Sequence, residues 1–393
     1  MTTTADIRTR TPPTTEQVQA ALATVNDPEI RKPLTELGMV KDVTIDSTGL
    51  VTVTLYLTVA GCPLKQTLTR DTTAAVSSIE GVRAVVVVMD VMSDEQRTAL
   101  RRRLRGDQDE PVIPFAQPGS LTKVYCIASG KGGVGKSSVT VNLAAALAAR
   151  GLSVGVLDAD IHGHSVPRML GVTATPTQVE KMIMPPVAHG IKVISVGMFT
   201  DGNAPVIWRG PMLHRALNQF LADVFWGDLD VLLLDLPPGT GDVAISLAQL
   251  LPSAEIIVVT TPQPAAAEVA ERAGSIAKQT GQRVVGVIEN MSWLTLADGT
   301  RDAIFGAGGG QLVADALTRE LGMHVPLLGQ VPMERGLRAG GDTGHPLVLA
   351  DPSSPAAAVL ISVAQRLRSR RHGLAGRRLA VSPVEKSHSR TAP

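Results

Sequence analysis

The chain of 393 residues is poor in cysteine, in aromatic side chains and in long apolar runs. Its two cysteines, Cys62 and Cys126, are too few for a disulfide framework. No apolar run approaches the ~18 residues that a membrane-spanning helix needs. The first residues, MTTTADIRTR, also lack the apolar stretch of a signal peptide. These absences predict a cytoplasmic protein with reduced thiols and no membrane partner.

A charge bias of either sign is missing as well. The 37 Lys and Arg residues offset 36 Asp and Glu residues, so the formal net charge is +1. Composition therefore offers no argument for binding nucleic acid. Hydrophobic residues make up 44% of the chain, which suffices for a buried core and excludes a mainly disordered protein.

Composition divides the chain into two folded domains with tails and a linker. Residues 1–13 and 372–393 are predicted to be flexible tails, and residues 106–121 to be a Pro-rich linker. Residues 14–105 alternate helices with strands and predict a small two-layer α+β domain. Residues 122–371 alternate continuous apolar strands with helices. This pattern predicts a doubly wound α/β domain whose mostly parallel sheet is covered on both faces.

The most specific motif is a glycine-rich loop after the first strand of the second domain. Gly130 is followed, after four residues, by Gly135-Lys136-Ser137, which matches the phosphate-binding P-loop. Its glycines let backbone N–H groups point at phosphate oxygens, and the next helix adds its positive N-terminal end. Lys136 is expected to reach the β- and γ-phosphates, and the Ser137 hydroxyl to ligate Mg²⁺. The loop residues expected to hold ATP are Gly130, Lys131, Gly132, Gly133, Val134, Gly135, Lys136, Ser137 and Ser138.

The same loop admits a second interpretation. Gly130, Gly132 and Gly135 also match the dinucleotide fingerprint, and Asp158 lies near the position of its ribose-binding acid. The dinucleotide fingerprint of a dehydrogenase, however, has no role for Lys136 and Ser137, or for a second acidic residue such as Asp235, described next. The loop therefore favours a nucleoside triphosphate bound with a metal ion.

The acidic partners of such a loop follow two apolar strands. Asp235 ends the run Asp230–Asp235 and matches the Walker B residue that acts on Mg²⁺ from its outer coordination sphere. Asp160, just past an earlier strand, is expected to orient the attacking water or to hold the metal through water. The Pro- and Gly-rich segment Leu236–Asp242 suits a switch loop that senses the γ-phosphate. The predicted catalytic residues are Lys131, Lys136, Asp160 and Asp235.

Lys131 lies inside the glycine loop, where a lysine is not needed to hold phosphates of the same chain. A solvated lysine is the simple alternative. The pair of Lys131 and Lys136 resembles the deviant Walker A motif of the MinD/ParA-type ATPases, and the wider match is closer to the Mrp/ApbC-type iron–sulfur cluster carriers. The segments that carry this match are Ser129–Ser138, Asp158–Ile161, Trp208–Met212, Asp235–Asp242, Thr260–Gln263, Glu289–Ser292, Ile304–Gly306, Gly308–Gly310 and Gly341–Pro346.

The resemblance implies a nucleotide-sandwich homodimer in which Lys131 reaches the phosphates of the partner chain. It also implies that Asn290 contacts the adenine. Residues 331–346 would form the rest of the adenine pocket, with Pro332 as one member.

The N-terminal domain resembles the SufT-type family, which is also linked to iron–sulfur assembly. The match rests on Asp27-Pro-Glu29, Leu37–Val40 and Thr58–Leu64. Cys62 falls at the reactive cysteine of that family, between a strand and a helix whose dipole favours a thiolate. A small buried loop residue is the alternative. Cys126 lies inside the first strand of the sheet and is expected to be core packing.

One departure from the carrier family concerns the cluster ligands. Many members carry Cys-x-x-Cys shortly after the segment Glu289–Ser292, whereas Ser292–Thr300 contains no cysteine. Thiolates are the usual iron–sulfur ligands. The sequence therefore predicts a labile, sub-stoichiometric cluster that depends on Cys62. His162 and His164 could favour a metal, although two histidines without further ligands are more often solvated.

The resulting interpretation is a homodimer that binds and hydrolyses ATP with Mg²⁺ and carries iron–sulfur clusters to apo iron–sulfur proteins or assembly factors. The alternative is a nucleotide-dependent switch that positions a partner and holds no cluster. Such a switch would bring a basic DNA-facing surface or an amphipathic membrane helix. The candidate for either feature is the basic run Arg366–Arg371 with Arg377 and Arg378. This run lacks the apolar face that membrane insertion requires.

Overall fold

The computed structural model describes residues 12–58, 64–105, 112–160, 163–179, 182–199, 210–239, 242–263 and 266–369. Cys62, His162 and the predicted tail 372–393 lie outside these ranges. Within them, no helix combines the length and the apolar character needed to cross a membrane.

The N-terminal domain is a three-stranded sheet with helices packed on it. Thr14 caps the first helix, where its hydroxyl accepts a 3.3 Å hydrogen bond from the Gln17 N–H. The central strand alternates, and its buried residues Val51, Val53 and Leu55 form the core face. The elements are α1 (Thr15–Leu22), α2 (Leu34–Leu37), β1 (Val40–Ile45), β2 (Leu50–Leu57), α3 (Lys65–Ser77), β3 (Ala84–Val91) and α4 (Asp94–Arg105). The strand β2 pairs antiparallel with β1 and parallel with β3.

The second domain opens with a short segment that the sequence assigned to the linker. Residues Pro114–Ala116 form a 3-10 turn, and Phe115 is buried against Trp226 at 6.4 Å between ring centroids. The elements of the first half are β4 (Lys123–Ala128), α5 (Lys136–Ala148), β5 (Val154–Asp158), α6 (Val166–Met169), β6 (Thr177–Val179), β7 (Met182–Met184), β8 (Val187–Ala188), β9 (Ile191–Ser195), α7 (Gly210–Ala222) and β10 (Val231–Asp235). Those of the second half are α8 (Asp242–Leu250), β11 (Glu255–Thr260), α9 (Ala266–Thr280), β12 (Val284–Thr295), β13 (Arg301–Asp302), α10 (Gly309–Leu321), β14 (Leu327–Met333), α11 (Arg335–Thr343), α12 (Leu347–Ala350) and α13 (Pro355–Ser369).

The second domain has a sheet of nine strands in the order β13-β12-β11-β4-β10-β5-β9-β8, with β14 also beside β12. All neighbours are parallel except the short edge strands β8 and β13. Two apolar clusters cover opposite faces of this sheet. The doubly wound, mostly parallel α/β architecture is confirmed, with the small α+β domain before it. Because parallel strands end at one edge, the carboxyl ends of β4, β5 and β10 lie together and can form a site.

The two domains share one apolar cluster. Val179 and Met184, from the hairpin β6–β7, and Phe225, after α7, are buried together with core residues of the N-terminal domain. Lys192 on β9 is 4% exposed beside them, and its ammonium donates to the carbonyls of Phe225 and Trp226 at 3.3 and 2.9 Å. The N-terminal domain is therefore packed on the second domain, an arrangement that the sequence pattern did not indicate.

Candidate functional site

The glycine-rich loop links β4 to α5 at the edge where the central strands end. Gly133 and Gly135 have φ values of 77° and 78°, in the left-handed region that favours glycine. A Cβ atom at Gly135 would lie 2.3 Å from Nδ2 of Asn290. That same Asn290 amide donates a 2.8 Å hydrogen bond to the Val134 carbonyl. The asparagine predicted to contact adenine therefore holds the loop in shape from β12.

Lys136, at the start of α5, lies beside the two aspartates that the sequence selected. Its ammonium is 2.9 Å from Oδ1 of Asp235 and 3.8 Å from Oδ2 of Asp160. Lys136 is 6% exposed and Asp235 is fully buried, so these charges face each other in a poorly solvated site. The Ser137 hydroxyl donates a 2.6 Å hydrogen bond to Oδ2 of Asp235. The structure therefore brings the predicted lysine, serine and aspartates together.

Thr140 belongs to this site but was missed by the sequence analysis. Its buried hydroxyl lies 2.8 Å from Oδ1 of Asp235 and 3.0 Å from the Lys136 carbonyl. The available signal was its spacing, because a residue four positions after Lys136 lies on the same face of a helix. Thr140 and Ser137 together fix both oxygens of Asp235.

The residues present fit a nucleotide phosphate with a divalent metal. A Cβ atom at Gly133 would meet nothing within 4 Å, and one at Gly132 would meet only the Pro238 side chain, at 3.8 Å. The loop is therefore an open cradle of backbone. A hydroxyl from Ser137 and carboxylates from Asp160 and Asp235 are the hard oxygen donors that Mg²⁺ prefers. Nζ of Lys136 makes ion pairs but no well-directed hydrogen bond, so its donors remain available for an anion.

Asp158, at the end of β5, has a structural part in the site. Burial and, next, the charge of Asp235 raise its pKa to about 8. Its carboxyl accepts from the N–H groups of Asp160 and Val166 at 3.1 and 3.3 Å and lies 3.2 Å from the Ser195 hydroxyl. Asp158 thus holds both ends of the loop that carries Asp160. This structural role accounts for an aspartate at the end of β5, so no ribose-binding role is needed to explain it.

Lys131 takes a different direction from Lys136. It is half-buried, and its ammonium donates to Oε1 of Gln263, in the loop after β11. The Lys131 ammonium therefore bonds to a neighbouring loop rather than to the carboxylates around Lys136.

A cavity of about 560 Å³ opens beside the glycine loop. Asn290, Pro332 and other residues of 331–346, for which the sequence analysis predicted an adenine pocket, are among the residues that line it. Met291 in its wall has φ 60°, an uncommon value for a methionine. The lining residues are Gly135, Ser138, Ser165, Arg168, Met169, Asn290, Met291, Phe305, Pro332, Met333, Glu334, Leu337, Arg338, Gly341 and Asp342.

The described residues do not by themselves form an iron–sulfur site. Cys126 is 2% exposed in β4, and burial raises the pKa of its thiol to about 12, so it is a core residue as expected. Across the described ranges, no group of three or more His, Cys, Asp or Glu side chains is arranged to hold a metal. Cys62 and His162 lie outside those ranges, so the structure places neither of them.

Comparison with known proteins agrees with this geometry. Residues 120–368 match the family model described as NUBPL iron-transfer P-loop NTPase, and residues 15–87 match that of an iron–sulfur cluster assembly protein. The iron–sulfur cluster carrier protein of Mycobacterium tuberculosis is 66% identical over 369 residues, which cover 94% of this chain and 97% of the relative. That of Bacillus subtilis is 40% identical over 322 residues, covering 81% and 88%.

A solved structure is also similar, the nucleotide-binding protein of Archaeoglobus fulgidus in complex with ADP. It is 32% identical with a TM-score of 0.50 and covers 59% of this chain and 89% of its own. The glycine loop between β4 and α5, with Asp235 ending β10, defines a nucleotide-binding P-loop NTPase. Within that class, the chain belongs to the family of iron–sulfur cluster carrier proteins.

Proposed function

We propose that the protein binds ATP with Mg²⁺ at the glycine loop, hydrolyses it, and uses this cycle to carry iron–sulfur clusters to apoproteins. The observation that carries the nucleotide part is the convergence of Lys136, Ser137 and Asp235 beside a cavity large enough for a nucleoside. The cluster part is supported by membership of the carrier family and by the two matched family models.

Catalysis in this proposal consists of positioning and charge stabilisation. Lys136 places a buried positive charge at the β- and γ-phosphates, where charge changes in the transition state. Asp160, whose carboxylate is 3.8 Å from that ammonium, would orient the attacking water. Mg²⁺, held by the Ser137 hydroxyl and acted on by Asp235 from the outer sphere, would neutralise phosphate charge. Asn290 and residues 331–346 hold the base.

Lys131 supports a shared site between two chains. It belongs to the loop, yet its ammonium contacts Gln263 instead of the carboxylates around Lys136. In a dimer, this ammonium would exchange its contact with Gln263 for the phosphates of a second copy. We therefore propose a nucleotide-dependent homodimer with one Lys131 completing each opposite site.

The cargo would be bound by Cys62, since Cys126 is sealed in the core with a raised pKa. One thiolate per chain gives an open and labile site, in which small thiols or an acceptor protein complete the iron coordination. A labile site favours transfer to apo iron–sulfur proteins or assembly factors over storage. The competing function, a positioning switch without a cluster, gains no specific support from the comparisons.

The deciding experiment is the iron and sulfide content of protein purified without oxygen, together with its ATP hydrolysis. The proposal expects acid-labile sulfide below one cluster per dimer and Mg²⁺-dependent release of phosphate from ATP. ATP hydrolysis without iron or sulfide, even after anaerobic reconstitution, would contradict the carrier function and favour the positioning switch.

A further inference from the structure

A short hairpin lies between the N-terminal domain and the nucleotide cavity. It consists of β8 and the start of β9, with His189 and Gly190 at its tip. Neither residue lines the cavity, and neither belongs to the motifs that the function explains. Each, however, makes a contact in a different direction.

The first contact is directed toward the cavity. Nε2 of His189 lies 2.8 Å from the carbonyl oxygen of Gly344. Because a carbonyl only accepts, this nitrogen carries the proton and donates. The ring also packs edge-to-face on that of His345, at 5.8 Å between centroids. The hairpin tip is thus fixed to the turn at Gly344–His345, which ends α11.

That turn supports two walls of the cavity. Gly344 is buried, has φ 75° and ends α11, which contributes Leu337 and Asp342 to the cavity lining. A Cβ atom at Gly344 would lie 2.4 Å from Cα of Gly171, just after α6. The α6 helix contributes Arg168 to the opposite wall. A shift of either wall must therefore move this tightly packed turn.

The second contact is directed toward the N-terminal domain. Arg31 donates from its guanidinium to the carbonyl oxygen of Gly190. Arg31 ends a turn that Asp27 organises, because the Asp27 carboxylate accepts from the N–H groups of Glu29 and Ile30 at 2.9 and 2.8 Å. Gly190 of the hairpin therefore contacts the N-terminal domain, while its neighbour His189 contacts the turn that ends α11.

The backbone conformation of Arg31 and His189 is a second observation, independent of their hydrogen bonds. Among the described non-glycine residues, positive φ occurs at Arg31 (61°), His189 (50°) and Met291 (60°). Two of the three form the contacts of this hairpin, and the third lines the cavity. Left-handed backbone is unfavourable for such side chains and persists where surrounding contacts hold it. Arg31 and His189 are exposed, so burial does not account for them.

We propose that His189 is a positioning residue that couples the nucleotide cavity to the N-terminal domain, through Gly344 on one side and Gly190–Arg31 on the other. Nucleotide between α6 and α11 braces the turn at Gly344 and, through the hairpin, the turn at Asp27–Arg31. By linkage, a docked N-terminal domain favours nucleotide to the same degree. This inference rests on the proposed nucleotide site.

The test uses the full chain and N-methylanthraniloyl-ADP as a fluorescent probe. His189→Gly removes the ring and suits the positive φ, and Arg31→Gly does the same for the guanidinium. Each single variant should weaken probe binding by about fivefold, the lower end of common coupling factors. The double variant should weaken binding by the same fivefold, because the two changes interrupt one connection. Multiplication of the two factors, or a change below twofold in every variant, would overturn the proposal.

Hydrogen exchange provides the second readout. Nucleotide should slow exchange of the amides of residues 27–33 in the original protein, and His189→Gly should abolish this protection at saturating probe. His189→Gln, which keeps a side-chain donor, should restore part of it. His324→Gly, a ring removal on an exposed loop, should leave both binding and protection unchanged. Persistence of the protection in His189→Gly would overturn the coupling.

These measurements separate the coupling from the proposed function. Failure of the original protein to bind the probe, or unchanged binding in Lys136→Ala, would contradict the nucleotide site itself. Normal binding that depends on Lys136, with independent effects at His189 and Arg31, would contradict the coupling alone.

Discussion

Oγ1 of Thr140 lies 2.8 Å from Oδ1 of Asp235, which joins the second turn of α5 to the end of β10. The Asp235 carboxylate therefore has one orientation before any metal or phosphate is considered. Ser137 fixes its other oxygen at 2.6 Å. The acid and the phosphate loop thus form one rigid unit.

Thr140→Val keeps the shape of the side chain and removes this hydrogen bond. Losing one partner of a buried bond to a charged group should lower the free energy of unfolding by about 1.5–3 kcal/mol. Urea unfolding measures this change, and the rate of ATP hydrolysis should fall with it. The matched control is Thr69→Val on α3, whose hydroxyl donates to the Lys65 carbonyl at 2.8 Å. Equal effects of the two substitutions would contradict a special role for Thr140.

Lys136→Ala removes the buried charge that, in the proposed function, acts on the phosphates. Loss of a charge-assisted contact of about 1.5–3 kcal/mol predicts ten- to hundredfold weaker binding of ATP. Hydrolysis should fall further, since this charge matters most in the transition state. Equilibrium binding and phosphate release test the two effects separately, with circular dichroism to verify folding. Unchanged hydrolysis would show that the site is assigned wrongly.

Lys131→Ala is expected to separate binding from turnover. The variant should bind ATP with an affinity near that of the original chain but hydrolyse it slowly, because Lys131 would act on the partner's phosphates. Mixing Lys131→Ala with Asp235→Asn should restore part of the activity, since a mixed dimer contains one site with both residues intact. Full activity of a monomer at all dilutions would refute the shared site.

Cys62→Ser and Cys126→Ser should differ in cluster binding. Cys62→Ser is expected to lose the visible absorbance and the iron and sulfide acquired in anaerobic reconstitution. Cys126→Ser should keep them, because the pKa of that thiol is raised to about 12 by burial inside β4. Stable loading of Cys62→Ser would show that the ligands lie elsewhere.

Glu29 predicts a pH dependence of stability at the contact between the domains. Burial and then the charge of Asp27 raise the pKa of Glu29 from 4.5 to about 7. The folded protein thus keeps a proton that the unfolded chain releases, and stability falls as pH rises from about 4.5 to about 7. The slope from this group is at most about 1.4 kcal/mol per pH unit.

Glu29→Gln should remove that part of the decline. Urea midpoints at pH 5 and pH 7.5 measure it, as the difference between variant and original protein. Glu80→Gln, an exposed carboxyl after α3, serves as the control and should follow the original protein. A parallel decline in Glu29→Gln would contradict the assignment.

The sequence was sufficient for features that depend on local pattern. The P-loop is one continuous segment, and Asp235 ends an apolar strand, so both could be located and then placed together by the rule for parallel strands. Most strand and helix positions followed from periodicity for the same reason. Periodicity did not indicate that β12 continues through the segment Glu289–Ser292 to Thr295, where its pairing with β14 shifts register between Asn290 and Leu294.

Features that depend on distant partners could not be predicted. Lys192 is a charged residue within a strand, and its burial depends on carbonyl groups of Phe225 and Trp226, more than 30 residues away in the chain. Asp158 looked like a strand-end acid, and its hydrogen bond to Ser195 depends on the pairing of β5 with β9. In both cases the sequence specifies the residue, while the fold specifies its partner.

The shared apolar cluster has a consequence for dividing this chain. Val179, Met182, Met184 and Phe225 are each less than a tenth exposed, and they are covered together with side chains of the N-terminal domain. A fragment expressed from residue 112 onward would expose these four side chains to solvent as one apolar patch, and it should therefore aggregate. Free-standing relatives of the P-loop domain would then need polar side chains at the matching positions, so those positions should distinguish fused from single-domain members.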